Sequence, residues 1–128
     1  MNDSKNTPSA MGFSMPAEWD LHEATWLAWP HNPTDWPDKL DTIRWVYGEI
    51  MRKILPGERV RMLVSSVAGE KTARRYLKRA EADPSRVEFI RHPTNRGWMR
   101  DSGPLFVRRQ QKRRTETAIV HFHFNAWA

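Results

Sequence analysis

Cysteine is missing from all 128 residues. Its absence excludes disulfides, thiolate metal sites and a thiol nucleophile from anything this chain can offer. No apolar run approaches the roughly 20 residues needed to span a bilayer. The opening residues, MNDSKNTPSAMGFSMP, lack the charged-then-apolar order of a secretory signal. Apolar residues are scarce as well. They make up 39% by a count that includes Tyr and omits Gly, against about 45–50% in globular chains by a count that does the reverse. These deficits predict a soluble, cytoplasmic protein with a thin core, without membrane partners.

Tryptophan works against the deficit. There are seven, and each can bury roughly 150–250 Å². Lys and Arg exceed Asp and Glu by 21 − 15 = 6, a balance that raises the expectation of anionic partners. The length is that of one domain at most, since single cores usually occupy roughly 100–200 residues.

Residues 1–14 are small and polar and read as a flexible lead-in. Glu23 to Pro30, EATWLAWP, is an apolar run of strand length, and HNPTDWP (His31 to Pro37) is a dense turn segment. Asp38 to Leu55 reads as a helix with Ile43, Val46, Tyr47, Ile50 and Ile54 on one face. Asp38 or Asp41 would serve its first turn and Pro56-Gly57 would stop it. Arg59 to Ser66 is a strand, and Gly69 to Ala82 a second helix with Ala73, Tyr76, Leu77 and Ala80 on one face, ended by Asp83-Pro84. Val87 to Ile90 is the next strand. Leu105 to Arg108 and Thr117 to Phe124 are strands joined by a charged connection. The order is an α/β alternation.

Asn95 to Pro104, NRGWMRDSGP, holds Trp98, Arg100 and Asp101 between two glycines and ahead of a proline. Glycine and proline stiffen a turn, and a stiff turn can hold a carboxylate in one place. An ionised aspartate only accepts hydrogen bonds, through two oxygens, which suits forked pairing with a planar guanidinium. Trp98 could add an aromatic wall beside the cation. The plainer alternative has Asp101 capping backbone amides and Trp98 packed in a core.

A resemblance bears on that choice. MPAEWDLHEATWLAWP (Met15 to Pro30) resembles the opening signature of the agmatine deiminases and their bacterial peptidylarginine-deiminase relatives. WMRDSGP (Trp98 to Pro104) resembles their Trp-x-Arg-Asp-x-Gly-Pro motif, and HFHFNAW (His121 to Trp127) the segment that follows it. The likeness covers residues 12 to 128 and implies the N-terminal portion of a five-bladed α/β propeller, incomplete, with residues 15–128 as its truncated first segment. It implies that Asp101 is one of two acidic residues clamping a guanidinium and that Trp98 lines the pocket. Asn125, Ala126 and Trp127 stand where peptidylarginine-specific relatives carry arginines for a substrate carboxylate, so Asn125 and Trp127 become substrate-binding candidates and agmatine the expected substrate. The complete enzyme would form N-carbamoylputrescine and ammonia through a cysteine thiolate and a histidine, with no metal or organic cofactor. Those groups belong to later blades, so the chain by itself is expected to be inactive and prone to self-association or homo-oligomer formation.

Two other features need weighing. RRQQKRR (Arg108 to Arg114) packs five basic residues into seven and reads as a solvated hairpin loop rather than a phosphate contact, because no aromatics interleave with the charges. His121 and His123 alternate on the expected last strand and read as packing or surface histidines, since no third ligand is near in sequence. The rival to the deiminase reading is a small non-catalytic basic module that touches nucleic acid through this loop. A third possibility is a subunit that completes its propeller with a separately encoded partner.

Overall fold

The computed structural model describes residues 6–123 and 125. The chain is α/β and divides into two compact units, residues 22–99 and residues 1–21 with 100–128.

In the 22–99 unit three strands, β1 (Ala24–Ala28), β2 (Arg59–Val64) and β3 (Val87–Arg91), form a parallel sheet in the order β1-β2-β3. Parallel neighbours need a crossover, and the two crossovers are α1 (Leu40–Ile54) and α2 (Val67–Arg79). Alternate residues of β2 decide which face the helices cover. Val60, Met62 and Val64 join Met51 and Leu55, and Ala73, Tyr76 and Leu77, in one buried cluster with Trp29 and Val87. Both helices therefore lie on that face. The indole N–H of Trp29, buried in this cluster, finds no acceptor among the described residues. On the opposite face Arg61 bonds Glu23 at 2.7 Å and Glu88 at 2.9 Å, with its guanidinium 5.6 Å from the Trp26 ring centre.

The apolar stripe expected on α1 is rotated. Gly48 and Met51 are its buried residues, with Tyr47 and Ile54 packed against the core, while Ile50 is 38% exposed. Gly48 gives the reason. A Cβ there would lie 3.1 Å from both the Ala80 Cβ and the Tyr76 carbonyl oxygen, so α2 approaches α1 along the Gly48 side and turns Ile50 outward. Asp41 stands in the first turn of α1, as expected, although neither aspartate caps the helix. The cap position is Lys39, without a side-chain bond. Asp38 adopts a left-handed φ of 56°, and Asp41 instead accepts from the Tyr76 hydroxyl at 3.1 Å, tying the two helices together.

The second helix starts two residues before the expected Gly69, because the Ser66 hydroxyl accepts the Gly69 amide at 3.1 Å. It also ends earlier, at Arg79. Glu81 takes a left-handed φ of 55°, its amide returns to the Lys78 carbonyl, and that of Ala82 returns to Leu77, which is a Schellman ending. Asp83 caps the next turn instead of stopping the helix. Hydrogen bonds from the Ser85 hydroxyl and amide pull its carboxyl below the ordinary aspartate range.

In the other unit β4 (Leu105–Gln111) and β5 (Arg114–Val120) form an antiparallel hairpin with Phe106 opposite Ile119. The strands absorb most of the segment expected to be a basic loop. Only Lys112 and Arg113 turn, with Lys112 at φ 49°. Arg108 pairs with Asp20 at 2.6 Å and Arg109 with Glu116 at 2.8 Å. Because β5 ends at Val120, His121 and His123 lie beyond the strand and not on one of its faces; both are exposed. Within the stretch expected to be a loose lead-in, the Phe13 amide bonds the Pro8 carbonyl, and Ser14 exchanges backbone bonds with Arg108 at 2.9 Å each way. Among the described residues no helix is long and apolar enough to cross a membrane.

Candidate functional site

Open parallel sheets bind ligands outside the carboxyl ends of their strands. At that end of the 22–99 unit the chain leaves β1 into Trp29 to Trp36 and leaves β3 into His92 to Trp98. The backbone ladder runs one step further on both sides, with Trp29 N–H on Leu63 O at 2.9 Å and His92 N–H on Val64 O at 3.1 Å. Side chains then clasp the two loops. The His31 ring lies with Nε2 2.8 Å from Thr94 O and Nδ1 3.2 Å from Trp29 O. The Asn32 amide donates to Asn95 O at 3.3 Å. Arg96 is ion-paired to Asp35, whose side chain is only 3% exposed. Gly97 sits against the end of β1, where a Cβ would lie 3.5 Å from Ala28 O.

Trp98 is placed by this clasp. Its ring packs on Trp36 with centroids 5.1 Å apart and planes at 39°, and it remains 38% exposed. The alternative that buries Trp98 in a core therefore fails.

Asp101 follows in the single helical turn α3 (Met99–Ser102) and is exposed. Among the described residues no hydrogen bond or ion pair engages its carboxylate, so the alternative in which it caps backbone amides finds no bond to support it. Its neighbour Arg100 pairs with Glu18 at 2.7 Å. Both partners of that pair are exposed, and it contributes little to stability. An acceptor-only carboxylate left free of internal donors is available to an external cation. Asn125 is exposed in the same unit as Asp101, Trp98 belongs to the other unit, and Trp127 lies outside the described residues.

Trp36, Asp35 and Arg96 did not stand out in the sequence. HNPTDWP reads as punctuation because prolines and Asn dominate it. The one available signal was a tryptophan, the largest apolar side chain, inside an otherwise polar turn.

The fold is α/β, and the Trp98–Pro104 turn carries an exposed carboxylate at Asp101. The chain belongs to the Porphyromonas-type peptidyl-arginine deiminase family, whose model matches residues 14–128. It is 33% identical over 127 residues to the agmatine deiminase of Ectopseudomonas mendocina, covering 99% of this chain and 32% of that protein. It is 32% identical to the agmatine deiminase of Medicago truncatula, covering 96% of this chain and 32% of that one. Among solved structures, a putative agmatine deiminase superposes with a TM-score of 0.75 at 24% identity, over 94% of this chain and 32% of that one. The C. jejuni agmatine deiminase gives 0.68 at 22% identity, over 89% and 32%. The chain thus spans about a third of the length of the relatives it matches.

Proposed function

We propose that this chain is the guanidinium-holding segment of an agmatine-deiminase-type hydrolase acting on a C–N bond, built on part of a five-bladed α/β propeller. The observation that carries the reading is the exposed Asp101 carboxylate, which no hydrogen bond or ion pair engages among the described residues and which sits in a single helical turn three residues beyond Trp98. Agmatine is the substrate that fits, because Asn125-Ala126-Trp127 offers no cation to a substrate carboxylate. The agmatine deiminase names of the relatives support the same substrate.

In the complete reaction a thiolate attacks the guanidinium carbon, a general acid protonates departing ammonia, and water hydrolyses the amidino-thioether. This chain has no cysteine, so the thiolate must come from outside these 128 residues. What Asp101 contributes is positioning and charge. A forked, charge-assisted pair orients the cation and stabilises it out of water.

Two measurements test this. The 128-residue chain should release no ammonia from agmatine above a blank. Joined to the remaining two-thirds of a related agmatine deiminase, it should turn over, and Asp101→Asn should then cost on the order of 2–5 kcal/mol, or roughly 30- to several-thousand-fold in rate. An asparagine keeps the shape and one acceptor but loses the charge. Retention of more than about a third of the turnover, at low and at saturating agmatine, would leave under about 1 kcal/mol missing and remove Asp101 from the clamp.

A further inference from the structure

We propose that Glu18 is a positioning residue for the cation site, acting through Arg100: it takes up the Arg100 charge and so leaves the neighbouring Asp101 carboxylate to a cation from solution. The inference rests on the proposed role of Asp101 and adds to it the residue that keeps this carboxylate effective.

The need for such a residue follows from the order of the chain. Arg100 directly precedes Asp101 in the single turn α3, and consecutive Cα atoms stand about 3.8 Å apart. Screening at physiological salt extends over about 8 Å, so an unpaired guanidinium at position 100 would act within the field of the Asp101 carboxylate. It would offset the charge that attracts a guanidinium ligand, and it would repel agmatine, which is positive at both ends.

Glu18 removes that conflict. Its carboxylate accepts from the Arg100 guanidinium at 2.7 Å. This hydrogen bond, with the Glu18 charge behind it, holds Arg100 above the ordinary arginine range. Asp101, by contrast, meets no donor among the described residues. One cation and two anions leave a single negative charge, and the pairing leaves it on Asp101.

The placement of Glu18 is itself built into the fold. Ser14 exchanges backbone hydrogen bonds with Arg108 at 2.9 Å each way, and Asp20 accepts from the Arg108 guanidinium at 2.6 Å. Between them the Asp20 amide donates to the Ala17 carbonyl at 3.0 Å. The segment from Ser14 to Asp20 is therefore closed at both ends on one residue of β4, and Glu18 reaches from it to Arg100. Glu18, Arg100, Asp101 and Arg108 all belong to the same unit. Because Glu18 and Arg100 are both exposed, their pairing adds little to stability. Its effect falls on the charge that a ligand meets.

The test follows the Asp101 backbone amide signal of the 15N-labelled 128-residue chain as agmatine is added. Four chains are compared: the parent, Glu18→Gln, Arg100→Gln and the double variant. The charges at positions 18, 100 and 101 total −1 in the parent, 0 in Glu18→Gln, −2 in Arg100→Gln and −1 in the double variant. Glu18→Gln should therefore bind agmatine about 2- to 5-fold more weakly at low salt, and the deficit should shrink as salt rises. Arg100→Gln should bind at least as tightly as the parent. The double variant should return to within about 2-fold of the parent, a rescue that loss of structure would not give.

Parent affinity in Glu18→Gln would overturn the proposal and leave the proposed function standing. Equal weakening in all three variants would do the same, since the pair would then only hold the turn. A parent chain whose Asp101 signal ignores agmatine would overturn both the proposal and the cation site it rests on. Should Glu18→Gln fail to fold, Arg100→Gln decides the matter, because binding weaker than the parent's is incompatible with an Arg100 charge that Glu18 keeps from the ligand.

Discussion

The two units of this chain solve the problem of apolar surface differently. In residues 22–99 two helices close one face of a parallel sheet, and Met51, Val60, Met62, Ala73 and Leu77 reach 0% exposure. In the hairpin unit Val107 is the one buried hydrophobic residue described, while Phe106, Ile119 and Phe122 are 42%, 59% and 68% exposed. An isolated two-stranded hairpin is marginal at best in water, and stability requires more strands or a covering layer. Stability should therefore reside in the 22–99 unit. The hairpin unit should contribute an uncovered surface, and it carries Asp101, the residue on which the proposed function turns.

The largest effect that could break this contrast lies in the first unit's core. Met62→Ala removes a fully buried side chain between the sheet and both helices, and should cost about 2–5 kcal/mol in urea or thermal unfolding. A loss below about 1 kcal/mol would mean that the cluster is loosely packed and that the two units differ less than their burial suggests.

Next in size is the close approach of the two helices. Gly48→Val would place a branched side chain where even a Cβ meets Ala80 and a backbone carbonyl at 3.1 Å. Overpacking of this kind should cost about 1–3 kcal/mol. Helix propensity favours Val over Gly by a few tenths of a kcal/mol, so it cannot offset that cost. A variant as stable as the parent would show that the helices can part without loss.

Much of this was legible in the sequence. Every expected strand and both long helices exist, since apolar periodicity and Gly-Pro punctuation are local signals. What escaped depended on partners distant in the chain. The inward face of α1 is set by α2 through Gly48, so periodicity within α1 alone selected Ile50, which faces out. The end of α2 is set by a left-handed Glu81, a conformation that a glutamate does not advertise. The basic run from Arg108 to Arg114 looked like a loop because charge usually marks one, but Arg108 and Arg109 have acidic partners at Asp20 and Glu116 and pair as strand. At the candidate site, WMRDSGP singles out Trp98 and Asp101 as candidates through their neighbours. The loop clasp formed by His31, Asp35 and Arg96 joins residues about sixty positions apart, and no local pattern reveals it.

Glu81 offers a smaller test with the opposite sign. A left-handed residue with a side chain is strained at a helix ending where glycine is not, so Glu81→Gly should raise stability by about 0.5–1 kcal/mol, less the chain entropy that glycine adds to the unfolded state. The measurement is a urea midpoint with an unchanged slope. A destabilised variant would indicate that Glu81 makes a contribution beyond its backbone, and would weaken the view that α2 ends through its Schellman bonds alone.

The smallest expected change in stability comes from the hairpin, and it bears most directly on the contrast between the units. Ile119 stands opposite Phe106 and is 59% exposed. Threonine keeps the branched Cβ that suits a strand and drops apolar surface that water already reaches. A cross-strand pair of this kind contributes roughly 0.2–1 kcal/mol, and exposed substitutions commonly fall within about 0.5 kcal/mol. Ile119→Thr should therefore shift the melt of the dilute chain by no more than about 0.5 kcal/mol. Association should respond differently. Phe106, Ile119 and Phe122 are large apolar side chains left in water, and we expect them to drive self-association as concentration rises. Sedimentation of parent and variant across a concentration series should show the parent associating first. Two results would be decisive against the picture. A loss above about 1 kcal/mol in the dilute variant would mean that this face is already covered in the single chain. Equal association of parent and variant would move the sticky surface elsewhere, with the half-exposed Trp45 and Ile50 of α1 as the next residues to replace.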